Sequence, residues 1–136
     1  MSARPQVLCW LMCDAVHIDP ATGKHYILGT FSNIRSRQFP MKHPRMIWFL
    51  SLGDVGVGKH ILRISMGAPL EQPRPVLERE FESRSPLHRI NLINEIQGMV
   101  FSQPGEFAIT VEVNDEPILV TTLSVSGLPG QAPTEE

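Results

Sequence analysis

The 136-residue sequence has little of what most binding and catalytic signatures are built from. Its only cysteines are Cys9 and Cys13, which in one strand would lie about 13 Å apart, too far to form a disulfide with each other. Fourteen acidic and twelve basic residues leave a net charge of −2, which predicts no attraction to nucleic acid or to an anionic membrane. No apolar run approaches the roughly 20 residues of a membrane span, and no signal peptide is visible, so we expect a cytoplasmic protein.

Proline, by contrast, is abundant, with twelve residues that divide the chain into short pieces and favour strands over long helices. The 42% hydrophobic content is ordinary for a soluble globular protein. We therefore expect one domain over residues 1–127, followed by a disordered tail at residues 128–136 that has no apolar pattern.

Alternating apolar and polar residues predict most of the strands. The predicted strands are residues 6–16, 25–34, 46–52, 60–67, 76–83, 103–113 and 118–127. Segment 88–97 fits either a strand or a short helix. Both alternating sets of residues 6–16 are apolar, which indicates a strand covered on both faces, or on one face and by a partner. The first two strands and the last two are predicted to form hairpins, and the fold class is an all-β sandwich of seven to eight strands.

The segment GDVGVGKH, residues 53–60, has the glycine and lysine spacing of a nucleotide-binding phosphate loop. That motif needs a helix after the loop and a hydroxyl where His60 stands. Residues 61–66 alternate as a strand does, and Gly67 and Pro69 follow at once. We therefore interpret the segment as a glycine-bearing hairpin loop between two strands, with Lys59 an exposed cation, and we expect no cofactor.

Histidine and cysteine residues gather around the first hairpin. Cys13, His17 and His25 are the candidate metal ligands, although no close pair of the kind that marks most zinc sites is present. They support one alternative function, a metal-dependent or small-molecule-acting enzyme with a site at the His17/His25 end of the hairpin. No catalytic residue is proposed, because no nucleophile motif occurs and Glu78, Glu80 and Glu82 fit a solvated strand face at a sheet edge.

The connection at residues 35–45 is basic and contains an aromatic residue, with Pro40 and Pro44 expected to keep it out of a central strand. Basic and aromatic residues together are suited to contacts with other molecules. With the chain slightly acidic overall, we expect a protein partner, or a second copy of the chain, rather than nucleic acid. The candidate interaction residues are Arg35, Arg37, Phe39, His43 and Arg45.

Three stretches carry a resemblance to a known family: residues 12–34, with Cys-Asp followed by a hairpin and Leu-Gly-Thr-Phe, residues 38–52, with Phe-Pro and His-Pro-Arg, and residues 98–118. They resemble a family of small uncharacterised bacterial proteins classed as a domain of unknown function. The resemblance implies an immunoglobulin-like antiparallel β-sandwich and favours a strand for residues 88–97. It brings no functional residues. The expectation from the sequence is therefore a non-enzymatic protein-interaction or structural module.

Overall fold

The computed structural model describes residues 4–128 and arranges them in nine β-strands. In chain order these are β1 (Gln6–Ile18), β2 (His25–Phe31), β3 (Asn33–Ser36), β4 (Met41–Gly53), β5 (Gly58–Gly67), β6 (Arg74–Ser83), β7 (Ile90–Phe101), β8 (Gly105–Val113) and β9 (Glu116–Gly127). Residues 4–128 contain no helix, and hence none that could span a membrane. The predicted all-β class is confirmed. Of the predicted tail, Leu128 donates its amide to Ser36 O (2.9 Å), and residues 129–136 lie outside the described part.

The count of nine strands corrects the predicted seven to eight. The single strand predicted for residues 25–34 is two strands, because β2 ends at Phe31 and the chain crosses at Ser32 to the other sheet as β3. The Ser32 carbonyl accepts the amide of Ser124 (3.2 Å) at this crossing. The residue pattern of segment 88–97 fitted either a strand or a helix, and residues 90–97 form part of strand β7.

The strands form two sheets, in the orders β2-β1-β4-β7 and β3-β9-β8-β5-β6. Neighbouring strands are antiparallel except β3 and β9, which run parallel. This pair corrects the prediction of a wholly antiparallel fold. It arises because β3 reaches its sheet by crossing over from the other one instead of following a hairpin.

The main core lies between the two sheets, and strands β4, β5, β7, β8 and β9 contribute alternate side chains to it. Each fully buried aliphatic or aromatic side chain stabilises the fold by about 1.5–3 kcal/mol relative to exposure. The predicted hairpin of the last two strands is confirmed, and it turns at Asn114 and Asp115, whose positive φ angles of 53° and 67° are those of a primed turn. Its fully buried members include Trp48, Leu50, Leu62, Ile64, Ile109 and Val111.

Strand β4 begins five residues earlier than predicted and contains Pro44, which corrects the expected connection at residues 35–45. The pairing of β1 with β4 stops at Cys13 and Ile47, so Pro44 lies where β4 has β7 as its one neighbour. A proline, which has no N–H, is tolerated in a strand that is unpaired on one side.

Residues 54–57 of the segment GDVGVGKH connect β4 to β5, which lie in different sheets. The connection is therefore a crossover between sheets and not the predicted hairpin loop. Val55 is fully buried in the main core, and its carbonyl accepts a hydrogen bond from Ser83 Oγ (2.8 Å). As predicted, strands flank the segment on both sides and Lys59 is exposed. Because the segment leads into strand β5, it lacks the helix that follows a phosphate loop.

One side of the sandwich is closed by Arg79, which links the edge strands of the two sheets. From β6 its Nη1 donates to Ile93 O (3.2 Å) and to Asn94 Oδ1 (3.1 Å) on β7. Asn94 is 1% exposed, and its Nδ2 donates to Trp48 O (2.9 Å). Both polar atoms of this buried amide are therefore satisfied, which avoids the cost of about 1–3 kcal/mol for an unpaired buried polar group.

Candidate functional site

The hairpin of β1 and β2 changes direction at Asp14 and Gly29. These residues face each other between the pairs Cys13–Thr30 and Ala15–Leu28. Gly29 has φ of 71°, and a Cβ there would lie 2.9 Å from Asp14 Cγ. Both the left-handed backbone and the close contact therefore favour glycine. Arg45 holds the bend by donating from Nη1 to the Asp14 carbonyl oxygen (3.1 Å).

Beyond this bend the hairpin lies back over the outer face of the four-stranded sheet. His25 pairs with Ile18, seven positions along β1 from Leu11, which pairs with Phe49. In a straight strand, His25 would be about 23 Å from the row of Phe49. The ring centroids of His25 and Phe49 are only 6.0 Å apart. We call the folded-back part, residues 15–28, the flap.

The flap covers a small second core on the outer face of this sheet. Cys13, Ile47 and Phe49 are buried there although they point away from the main core. Val16 and Ile27 of the flap pack onto them. The sequence predicted that β1 is covered on both faces, or on one face and by a partner, and at Cys13 the flap supplies this second cover.

A groove opens at the tip of the flap, between the flap and the sheet. Its volume of about 440 Å³ falls within the usual range of ligand pockets. The floor is formed by Cys9, Leu11 and Phe49. We call it the flap groove, and its walls are formed by Lys24, His25, Tyr26, Ile27, Ser51, Arg89 and Asn91.

The polar groups of the flap groove are mainly hydrogen-bond donors. Lys24 and Arg89 are exposed, and neither forms an ion pair within residues 4–128. Ser51 Oγ donates to Asn91 Oδ1 (2.7 Å), which leaves the Asn91 Nδ2 group free to donate elsewhere. No aspartate or glutamate is among the described residues that line the groove. The groove thus combines an apolar floor with a positive rim.

The two cysteines differ in access, and their thiols are expected to react at different rates. Cys13 is fully buried beneath the flap, and burial raises the pKa of its thiol. Cys9 is partly exposed at the groove floor. Because the exposed thiolate is the reactive species, Ellman's reagent should titrate one thiol in the folded protein and the second only after denaturation.

The variants Cys9→Ser and Cys13→Ser assign the two thiols. Cys9→Ser should abolish the fast reaction, and Cys13→Ser should leave it unchanged. Equal rates for both thiols in the native protein would contradict the closed flap.

The predicted metal candidates are on or beneath the flap. Cys13 is buried in the second core, His17 stacks on Tyr26 with ring centroids 6.0 Å apart, and His25 lines the flap groove. Among residues 4–128 no three metal-ligating side chains converge, so these three do not form a ligand group.

The predicted interaction residues are distributed over several surfaces. Arg35 of β3 and His43 of β4 line a shallow cleft of about 330 Å³, and Arg37 is exposed in the following connection. Phe39, which precedes Pro40 through a cis peptide bond, packs against the main core. Arg45 pairs with Glu95 (2.6 Å), and the Gln97 amide together with this guanidinium lowers the pKa of the Glu95 carboxyl group.

The outer face of the five-stranded sheet is of a different character. Arg63 binds Asp115 (2.6 Å), Glu112 (3.3 Å) and Glu78 (3.6 Å) there, and the Asp115 carboxylate above all raises the pKa of its guanidinium. Glu78, Glu80 and Glu82 are exposed on edge strand β6, as predicted. This face is charged and solvated, whereas the outer face of the four-stranded sheet is apolar.

Most of the flap groove was missed by sequence reasoning, which selected only His25 from its lining. Lys24 and Arg89 are 65 positions apart in the chain, so no local motif joins them. One signal was available. An isolated glycine inside an alternating strand, as at Gly29, indicates a bulge or a close backbone approach.

A family model described as a family of unknown function, DUF6941, matches residues 8–126. No curated protein matches the chain. Among solved structures, the Pseudomonas fluorescens alkylpurine DNA glycosylase AlkC bound to DNA is 11% identical, with a TM-score of 0.52 over 91% of this chain and 31% of its own. A β-glucosidase from Kluyveromyces marxianus is 13% identical, with a TM-score of 0.49 over 76% of this chain and 16% of its own. The chain spans less than a third of either protein, and the first likeness concerns the fold alone.

Proposed function

The chain belongs to the DUF6941 family, whose function is unknown, and from its geometry we propose that it is a non-enzymatic module that binds a protein partner in the flap groove. The proposal retains the function expected from the sequence and assigns it a surface. That surface differs from the basic connection at residues 35–45.

One observation carries the proposal: the flap covers only part of the apolar outer face of its sheet. Phe49 is covered, but Leu11 and Cys9 are only half-buried where the flap ends. An apolar depression surrounded by polar side chains is the usual form of a docking site.

The strand orders support an immunoglobulin-like sandwich as part of this proposal. The order β1-β4-β7 matches strands A, B and E of that fold, and β9-β8-β5-β6 matches G, F, C and C′. Strand β2 is then an addition between the first strand and β3, and it provides the flap. The binding surface would thus be this chain's own elaboration of the sandwich.

A cytoplasmic location also belongs to the proposal. Cys9 and Cys13 are free thiols, and Cys9 is accessible at the groove. Free, accessible thiols persist in reducing compartments.

Blocking the groove tests the proposed function. A bulky maleimide attached to Cys9 should prevent the immobilised protein from capturing at least one protein from a lysate of its native host, because the label fills the groove. The matched control is Cys9→Ser combined with Val120→Cys, which places the same label on the outer face of β9, where Val120 is 66% exposed.

The supporting result is a protein captured by the unlabelled and the Val120-labelled forms and lost from the Cys9-labelled form, as measured by quantitative mass spectrometry. Capture that is the same for both labelled forms, or no capture by any form, overturns the proposed function.

A further inference from the structure

We infer that the partner inserts an extended segment that carries apolar and acidic side chains on the same face, and that this segment pairs as an additional strand with the open edge of β1. The inference rests on the proposed function and specifies the chemistry of what the groove binds. Two independent observations carry it, the charge of the groove and the unpaired edge beside it.

The positive charge of the groove favours an acidic side chain on the partner. The chain has more acidic than basic residues, 14 against 12, yet the groove lining has two cations and no carboxylate. Lys24 lies on the flap and Arg89 directly precedes β7, and neither has an ion-pair partner within the described chain. With Asn91 Nδ2 they supply donors suited to a carboxylate that lies above an apolar floor.

The unpaired backbone groups of β1 favour a partner segment in an extended conformation. Strand β1 pairs with β2 only from Met12 onward, so from Cys9 to Leu11, after an irregularity at Leu8, it pairs with β4 alone. Half of the backbone N–H and C=O groups in this stretch therefore point toward a side where residues 4–128 provide no strand. A peptide adds to such an edge through backbone hydrogen bonds, and pockets beside the edge select its side chains.

The edge and the groove are adjacent. Cys9 and Leu11 belong to the unpaired stretch, and their side chains form the groove floor. A strand laid beside them directs every second side chain to the same face of the sheet. Residues i and i+2 of the partner would therefore face the groove floor together, one beside Cys9 and one beside Leu11.

Peptides of matched sequence test the inference. The probe is fluorescein-labelled Thr-Leu-Thr-Glu-Thr-Leu-Thr, which places leucine and glutamate on one face, and its companions carry glutamine or lysine in place of glutamate. Fluorescence anisotropy at low salt should show the glutamate peptide binding at least about threefold more tightly than the lysine peptide, the scale of one or two solvent-accessible ion pairs. N-methylation of alternate backbone amides should abolish binding, because strand pairing needs those N–H groups.

Charge reversal supplies the protein control. Lys24→Glu with Arg89→Glu should reverse the preference, so that the lysine peptide binds more tightly. Lys42→Glu with Lys59→Glu, two exposed sites outside the groove, should leave the glutamate preference unchanged.

Several results would overturn the inference. No binding of the glutamate peptide up to about 1 mM, no charge preference, or equal binding of the N-methylated peptide each excludes the proposed segment. A dimer in sedimentation that Lys24→Glu with Arg89→Glu dissociates would identify a second copy of the chain as the occupant. If the inference fails while capture still depends on an unblocked Cys9, the proposed function stands with a partner of other chemistry. If capture does not depend on an unblocked Cys9 either, the inference and the proposed function both fail.

Discussion

Replacing Val55 with aspartate is expected to unfold the protein. Val55 is 0% exposed within the main core, and the nearby Ser83 hydroxyl already donates to its backbone carbonyl. A buried carboxylate without a partner costs several kcal/mol, which is comparable to the whole stability of a small domain, about 5–15 kcal/mol. Val55→Ala should lose about 2 kcal/mol, because only the buried methyl groups disappear. Urea denaturation followed by circular dichroism measures both variants.

The controls for this prediction come from the same eight-residue segment. Lys59→Ala and Gly56→Ala should change stability by less than about 0.5 kcal/mol, because Lys59 is exposed and a Cβ at Gly56 meets open space. A native unfolding midpoint for Val55→Asp would contradict the buried position of this crossover.

Phe49→Ala is expected to release the flap and to lower stability by about 3 kcal/mol. Phe49 is 6% exposed and lies beneath Ile27 and beside His25, so its removal leaves a cavity between flap and sheet. Amide hydrogens of the flap, residues 15–18 and 25–28, should then exchange faster than those of the main core, since local opening needs less free energy than global unfolding. Hydrogen exchange followed by mass spectrometry or NMR measures the difference.

Leu28→Ala is the matched control for Phe49→Ala. Leu28 is also apolar and belongs to the flap, but it is 53% exposed. Its truncation should leave both stability and flap exchange close to the values of the native protein. If Phe49→Ala lowers global stability while flap amides remain as protected as core amides, Phe49 does not hold the flap.

Local alternation was sufficient to predict most strands and the last hairpin, because side chains on a strand alternate whatever the strand pairs with. Which strands pair with each other was harder to predict from the sequence. Nothing in the residue pattern of segment 25–34 marks the change of sheet at Ser32, since the alternation continues through it. Pro44 was placed outside a strand for the same reason: its tolerance depends on where β1 stops pairing with β4, which is a distant contact.

The candidate site was harder to predict than the fold. The groove exists because the hairpin turns back at Asp14 and Gly29, and the tightness of that turn follows from the contact between two strands. His25 was selected from sequence for its ability to bind metal, whereas in the structure its ring lies against Phe49 in the wall of the groove. Arg89 had no feature in the sequence that set it apart from other surface cations.

The parallel pair of β3 and β9 has a consequence for how the protein is made. Asn33 pairs with Ser124, so the third strand has no neighbour in its sheet until the ninth has been synthesised. At the roughly 5–20 residues added per second during translation, the intervening chain leaves β3 unpaired for several seconds. Contacts of such sequence separation also slow folding after release. A nascent chain of this protein therefore leaves the edge of β3 unpaired for most of its synthesis.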